Sequence, residues 1–438
     1  LGLPTSVVVW DLTNPAITTS TIEYDTKYRF AVKNTNALGH ITEATYDSKY
    51  GNVLTSKDAN GLITAYKYDG LGRMAETTTP DGITVKKELH FGNHGSSPSL
   101  ASIAYYSQTI TPETSDFIEG YDNLGRLVRT VKFFGYGTLK DVTTNYYNTC
   151  GQLVQKRINS ANANRLVSVS QYDPFFRPKS VEEFIGATTS DPASLSSSNL
   201  TATNNLIQYA YSGLSVTTDN NGKTTTKTMT PTGLLASVED NMGGLISYIY
   251  NSANQVTGIS SVGGDTTAIT YDKYGRQKTI TESNTGTTRY SYNGFSQITS
   301  QQDAKGNLCA FTYDNLGRVL TKSETASGTS TPVVTNYTYD TEANGKGGIA
   351  LISGGANGFT TTYKYDALSR NYKIIENNSG KVLTTTCEFD EYGRVKKVKY
   401  PSNTNSDGSF YVNYNYNTFS VLDKITDPNN NTIWQLQS

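Results

Sequence analysis

The chain has 438 residues, which on length alone would fill about three domains of about 150 residues each. Its 37 Lys and Arg against 38 Asp and Glu leave a net charge of −1, so there is no field to steer nucleic acid or an anionic membrane surface. Charged residues are only 17% of the chain while tyrosine reaches 32 copies. With Thr, Ser, Asn and Gly abundant, strand formers and turn formers dominate, and the expected class is all-β with many short strands. No apolar run approaches the roughly 18 residues that a membrane-spanning helix needs, so no membrane span is expected.

In chain order, a first Tyr-Asp pair stands at Tyr24-Asp25, and a complete phrase, Tyr-Asp-x-x-Gly-Arg, follows at 68–73. It returns at 121–126, 271–276 and 313–318. The residues that recur are Tyr68, Asp69, Gly72 and Arg73; Tyr121, Asp122, Gly125 and Arg126; Tyr271, Asp272, Gly275 and Arg276; and Tyr313, Asp314, Gly317 and Arg318. Degraded copies lie between them. A chain written in repeats is usually one elongated architecture, which overrides the count of domains from length. The anchors Tyr250, Tyr271, Tyr292 and Tyr313 are 21 residues apart, whereas Tyr313, Tyr339 and Tyr365 are 26 apart. Constant anchors at variable spacing predict a fixed turn joined by loops of variable length.

The segment before each turn carries aromatics two apart, as in Tyr66/Tyr68, Tyr209/Tyr211, Tyr290/Tyr292, Phe311/Tyr313 and Tyr414/Tyr416. Residues i and i+2 share one face of a strand, so each strand has an aromatic face and a mostly polar one. Stacked units would form a tyrosine ladder of cross-strand pairs. The turn reads as type I followed by a left-handed residue, with Asp bonding the N–H groups ahead of it and Gly taking positive φ. Asn251 with Asn254 is a tolerable variant of the aspartate–glycine pair, since Asn visits the left-handed region, whereas Phe176 and Ser369 at the glycine position fit poorly, and those turns should differ or carry strain. A second turn signal lies between the hairpins, at Asp58 to Gly61, Asp81-Gly82, Asp219 to Gly222 and Asp303 to Gly306. One unit is therefore two strands and two turns, and consecutive units make a long antiparallel meander. Segments 92–116 and 187–205 break the pattern and are expected to be excursions; no helix longer than about two turns is expected.

The YDxxGR units with their Y-x-Y-D lead-in strands resemble the YD repeats of the Rhs-repeat family over nearly the full chain. That family includes bacterial polymorphic toxins, bacterial wall-associated proteins, the C component of insecticidal toxin complexes and the animal teneurins. The resemblance implies that residues 1–438 are one segment of a β-strip that spirals into part of a hollow shell, with many aromatics lining its interior. It also implies a secreted or cell-surface bacterial address. Family toxins often close the shell with a region whose paired aspartates perform self-cleavage. Nothing here matches that region, and Asp427-Pro428 continues as an ordinary turn, so no catalytic residue is carried over. The chain begins at Leu1 without a methionine or signal peptide and ends at Ser438 inside a further unit, so it reads as a piece of a longer parent.

Other chemistry is thin. Cys150, Cys309 and Cys387 are far apart and show no disulfide or metal spacing. His90 and His94 could chelate a metal on a helix, but Gly92, Gly95 and Pro98 point to a loop. No G-x-S-x-G elbow nominates a nucleophilic serine beside His40, His90 or His94. No catalytic, cofactor-binding or metal-binding residue is assigned, and no cofactor is expected. The motif arginines Arg73, Arg126, Arg276, Arg318 and Arg394 are either an anion-binding row or, more simply, partners of nearby carboxylates with their stems on tyrosine rings. The basic run 394–399 suits a charged strand face. The tyrosines pack a sheet, contact an enclosed guest chain, or form a platform for glycans.

The expected function is structural rather than enzymatic: a shell segment that encloses and helps deliver a cargo polypeptide. Its partners would be the remainder of the parent chain and a C-terminal cargo. The alternative is a cell-surface adhesin or recognition scaffold for glycans or proteins, with specificity on the long loops, or a substrate caught with secretion machinery.

Overall fold

The computed structural model describes residues 2–10, 17–92, 103–112, 117–134, 139–159, 165–186, 200–355, 357–401, 410–417 and 420–436. Among them every regular element is a strand, from Ser6–Trp10 to Thr432–Gln435. By contacts the chain forms two units. One comprises residues 1–85, 271–279 and 286–438; the other comprises 86–270 and 280–285.

Within each unit, strands pair antiparallel with their neighbours in sequence. In the first unit this holds from Ser6–Trp10 to Met74–Thr78, and again from Gly286–Tyr292 to Thr432–Gln435. In the second unit it runs from Thr84–Phe91 to Thr266–Tyr271. The expected all-β hairpin meander is what forms. The described parts of the two excursions are also sheet: Tyr105–Ile110 pairs on both sides, and the strand Leu200–Ser212 already covers residues 200–205. Residues 93–102, 113–116 and 187–199 lie outside the described residues.

The two turn types fall on opposite rims, because every strand separates one of each. On the tyrosine-aspartate rim, Gly72 N–H donates to Asp69 O at 3.0 Å and Asp69 N–H to Arg73 O at 2.9 Å. Gly72 and Arg73 thus oppose the single residue Asp69, a glycine bulge, and a register shift follows: Tyr68 pairs with Met74 and Lys67 with Glu76, which leaves Ala75 as the extra strand residue. The same hydrogen bonds and shift recur at Asp122 and Asp314. Phe176 and Ser369 do not change the turn; they enter it with φ of 64° and 60°, the left-handed region that a β-carbon penalises. Those turns carry the strain. The opposite rim is more varied. At Asp58 and Asp303 it makes the same two turn hydrogen bonds, with no register shift in the flanking strands. Between 79 and 83, however, the turn opens on Thr79, not Asp81. Near 219, Asp219 and Asn220 end a strand, and Asn221-Gly222 alone make a two-residue hairpin with φ of 54° and 82°.

Each strand has two faces and little packs on either. Among the described residues the buried apolar side chains are Ile103, Ile118, Val128, Val131, Val142, Ala350 and Val412. Ile118, Val131 and Val142 form one row across three strands of the second unit, with Tyr106 against it. The polar face carries cross-strand pairs instead: Thr45 with Thr55 and Thr312 with Thr321, each at 2.6 Å, Thr217 with Thr226 at 2.9 Å, and Lys67 with Glu76 at 2.6 Å. In the first unit the meander meets itself: turns between residues 36 and 83 lie against turns between 340 and 393.

Because a left-handed residue with a β-carbon costs about 1 kcal/mol or more, Ser369→Gly should stabilise the fold by about that much. The Ser369 hydroxyl is also buried without a partner, so nothing is lost with it. Gly125→Ala, at φ 74° with only Tyr105 Oη near at 3.6 Å, should cost a similar amount. Urea denaturation of both variants reads these opposite signs.

Candidate functional site

The repeated residues meet in one constellation. At Asp122, Oδ1 accepts N–H groups of Leu124 and Arg126, both at 2.9 Å, and Oδ2 accepts Arg126 Nε and Nη2, both at 2.7 Å. One carboxylate thus takes four donors inside a five-residue turn. Asp69 does the same with Leu71 and Arg73, and Asp272 with Tyr274 and Arg276, while Asp314 accepts the two N–H groups of Leu316 and Arg318 and Arg318 Nε, with Arg318 Nη2 turned to Asp340. The degraded copies at Asp173 and Asp366 keep all four, and Asp390 keeps the two N–H groups and the arginine Nε. Hydrogen bonding to the charged form lowers a carboxyl pKa. At Asp69 the Arg73 backbone N–H and then its guanidinium hold the carboxyl below its ordinary value. At Asp272, Asp366 and Asp390 burial pushes upward, and the arginine bonds outweigh it.

The arginine then reaches the next unit. Arg276 lies 4.7 Å from the Tyr292 ring, Arg318 4.2 Å from Tyr339, Arg394 4.5 Å from Tyr416, Arg126 4.8 Å from Tyr147 and Arg370 4.3 Å from Phe389. The expected ladder of tyrosine on tyrosine is therefore largely a ladder of guanidinium on aromatic. Ring stacks directly on ring where no arginine fills the slot. At 25–30 the turn is one residue longer, Phe30 takes that place, and it stacks on Tyr46 at 4.8 Å.

The tyrosine hydroxyl closes the link. Tyr68 Oη donates to Val53 O at 2.9 Å, Tyr313 to Ile298 O at 2.6 Å, Tyr292 to Gln277 O at 2.7 Å and Tyr339 to Val319 O at 2.9 Å. Each acceptor is the first strand residue after the preceding turn. Burial pushes the phenols of Tyr68, Tyr292, Tyr313 and Tyr339 up, so they stay protonated donors at neutral pH. Tyr121 departs from this: its ring stacks on Tyr105 at 5.1 Å.

Sequence reading admitted Asn251 with Asn254 as a variant of the turn but overlooked the amide pair inside it. Asn148 with Gln152, Asn251 with Gln255 and Asn293 with Gln297 replace the aspartate–arginine pair by an amide pair, at 2.8, 3.1 and 2.5 Å. The asparagine Oδ1 still accepts the same two backbone N–H groups. The visible signal was Asn at the aspartate position with Gln four residues later.

The other candidates are spread out. His90 belongs to the strand Thr84–Phe91 rather than to a loop; it stacks on Tyr106 at 4.7 Å and faces Glu88 at 3.2 Å. His94 lies outside the described residues. His40 faces Asp340 at 3.5 Å. The basic run is balanced across its strand pair, with Lys397 and Lys399 at 3.5 and 3.0 Å from Glu388. Burial pushes the thiols of Cys309 and Cys387 up, which leaves neither activated as a nucleophile.

Residues 46–84 and 271–308 match the family model of the RHS repeat. The chain carries RHS repeats. No curated protein matches the sequence. Among solved structures the chain is similar to a TcdB2-TccC3 complex, with TM-score 0.34 and 13% identity over 95% of this chain and 31% of that one. It is similar at TM-score 0.31 and 13% identity to the Photorhabdus luminescens Tc holotoxin pore, over 92% of this chain and 29% of that one. A porin-like protein from Bacteroides uniformis overlaps at TM-score 0.13 and 12% identity, over 62% of this chain and 92% of its own. The chain therefore spans about a third of the length of the toxin-complex chains it matches. Likeness of that degree assigns no function.

Two measurements check the RHS turn. Tyr313→Phe removes one hydrogen bond and leaves the Ile298 carbonyl short of a donor, so it should cost about 1 kcal/mol in urea. Acid should unfold the chain. The folded pKa values of Asp69, Asp272, Asp366 and Asp390 are depressed, so their stabilisation is complete above the unfolded value of about 3.9 and is lost as pH falls through the folded values. Asp366→Asn should flatten that acid limb and lower stability at pH 7; an unchanged limb would contradict the assignment.

Proposed function

We propose that this chain is a structural segment of a longer RHS-repeat protein, secreted or displayed at a bacterial surface, and that its strip walls off a cargo polypeptide carried by the same parent. The observation that carries the reading is the saturation of the repeated side chains. Aspartate and arginine of the repeats bond each other and the backbone, and tyrosines such as Tyr68, Tyr292, Tyr313 and Tyr339 bond the backbone too, so the residues that recur are spent on holding the strip together. This supports a scaffold in place of an enzyme. The RHS repeats support the same role. A single layer with few buried apolar side chains has two faces to offer, one of them rich in half-buried tyrosine. Tyrosine presents a flat apolar surface with a polar tip, which suits contact with a guest chain without tight binding.

Limited proteolysis of the full-length parent, with mass spectrometry of the protected fragments, tests the proposal. The expected result is a second protected segment, encoded outside these repeats, that resists cleavage until the repeats are denatured. Loss of everything outside the repeats, with no second protected piece, would leave an empty scaffold. The function would then move to recognition at the cell surface.

A further inference from the structure

Inside the first unit, the seam between distant turns is held by an asparagine that precedes a glycine. The Asn60 side-chain amide donates to Lys346 O at 3.0 Å and accepts from Lys346 N–H at 2.9 Å. It ties the turn at 58–62 to the turn at 340–348. Beside it His40 Nε2 meets Asp340 Oδ2 at 3.5 Å.

An asparagine before a glycine carries a reaction of its own. The glycine nitrogen attacks the asparagine Cγ, and a new C–N bond closes a five-membered imide. The bond from Cγ to Nδ2 breaks, and Nδ2 leaves as ammonia with the proton from the glycine nitrogen. Water then opens the imide at either carbonyl, giving aspartate or isoaspartate. Glycine favours the attack because it has no β-carbon to crowd the nitrogen and its backbone turns freely. Around Gly61 there is open space: nothing lies within 4 Å of where a β-carbon would stand. In the closed seam, however, both reacting groups are engaged. The leaving nitrogen is the one that donates to Lys346 O, and Gly61 N–H donates to Asp58 O at 3.0 Å. Asp58 Oδ1 pins the turn further by accepting the N–H groups of Asn60 at 2.9 Å and Leu62 at 2.8 Å. Ring closure therefore requires local opening of the turn and of the seam.

We propose that Asn60-Gly61 is a self-modification site that records opening of the seam: deamidation is held off while the seam is shut, and its product keeps the seam from closing again. Aspartate at this position has no N–H for Lys346 O, so two acceptors would meet where a 3.0 Å hydrogen bond now stands. Isoaspartate adds a main-chain carbon to the 58–62 turn and moves the side chain off the Lys346 backbone. Asn357-Gly358, in the same unit, supplies the comparison. Asn357 is exposed, and among the described residues its side chain makes no hydrogen bond. The inference rests on the seam and not on the cargo reading, so each can fail without the other.

Ageing the whole chain in mildly alkaline buffer, with peptide mapping by mass spectrometry, tests it. Asn60 should deamidate about tenfold or more slowly than Asn357 in the folded chain, and at a matching rate in unfolding urea. Lys346→Pro removes the N–H that Asn60 Oδ1 accepts and should speed modification of Asn60 about tenfold while leaving Asn357 unchanged. If the melting midpoint of that variant falls, His40→Ala, which opens the neighbouring contact, takes its place. Asn60→Asp supplies the product directly. Amide hydrogen exchange across 58–62 and 340–348 should then quicken about tenfold, with the second unit unchanged. Modification of Asn60 as fast as Asn357 in the folded wild-type chain overturns the proposal. So does an Asn60 that stays unmodified once the seam is opened, or an Asn60→Asp chain whose exchange matches wild type.

Discussion

The structure depends on one carboxylate that accepts four hydrogen bonds within five residues. In most sheets a buried face fixes the register, because a slip of one residue would turn every apolar side chain outward. That control is weak here, since few side chains of either unit are buried. Register has to be written locally, at each turn. Asp122 holds the N–H groups of Leu124 and Arg126 while Gly125 takes the left-handed conformation, and together they place the bulge at one residue. A slipped hairpin would give up several charge-assisted hydrogen bonds at once.

Fixing each hairpin does not join it to the next, and the rest of the repeated phrase supplies that link. Arg318 is tied to its own turn through Asp314, lies over the ring of Tyr339 in the next, and reaches Asp340 with both terminal nitrogens, at 3.1 and 2.6 Å. Tyr339 hydroxyl returns to Val319 O, directly after Arg318. The loop of contacts runs from turn to turn without a second layer. It explains why tyrosine and not phenylalanine is the common anchor, since the ring alone could stack but could not make the return bond. Phe389 is the informative exception: it keeps the stack on Arg370 and forgoes the hydroxyl.

Much of this was legible in the sequence. The i, i+2 aromatics gave strand faces, and the Asp-x-x-Gly spacing gave the bulged turn, because both are set within a few residues. What escaped depended on distances the sequence does not display. That Tyr313 bonds Ile298, 15 residues back, follows from how two hairpins lie side by side. That Arg126 stacks on Tyr147 and not on Tyr121 follows from the same offset. The amide version of the turn, Asn293 with Gln297, was hidden by expecting one chemistry at positions that require only an acceptor and a partner for it. The turn near Asp219 misled for the opposite reason: its Asp-x-x-Gly spacing is present, but Asn221-Gly222 closes a tighter hairpin on its own.

Repeat length varies on both rims, but not at every turn. Turns whose arginine lies over the next anchor's ring, such as 272–276 and 314–318, keep five residues, whereas 340–348 spans nine. The physical reason is the link just described. An insertion between Asp314 and Arg318 would break the hydrogen bonds that the carboxylate accepts and move the guanidinium off Tyr339. An insertion after Thr325 only delays the return of the chain, and 326–332 is such a longer connection. On the opposite rim the short turn at 58–62 places Asn60 to reach the backbone of Lys346. Its partner, 340–348, is the longest anchored turn among the described residues, so a short turn on one rim is met by a long one on the other, and a strip of irregular repeats can still pack against itself.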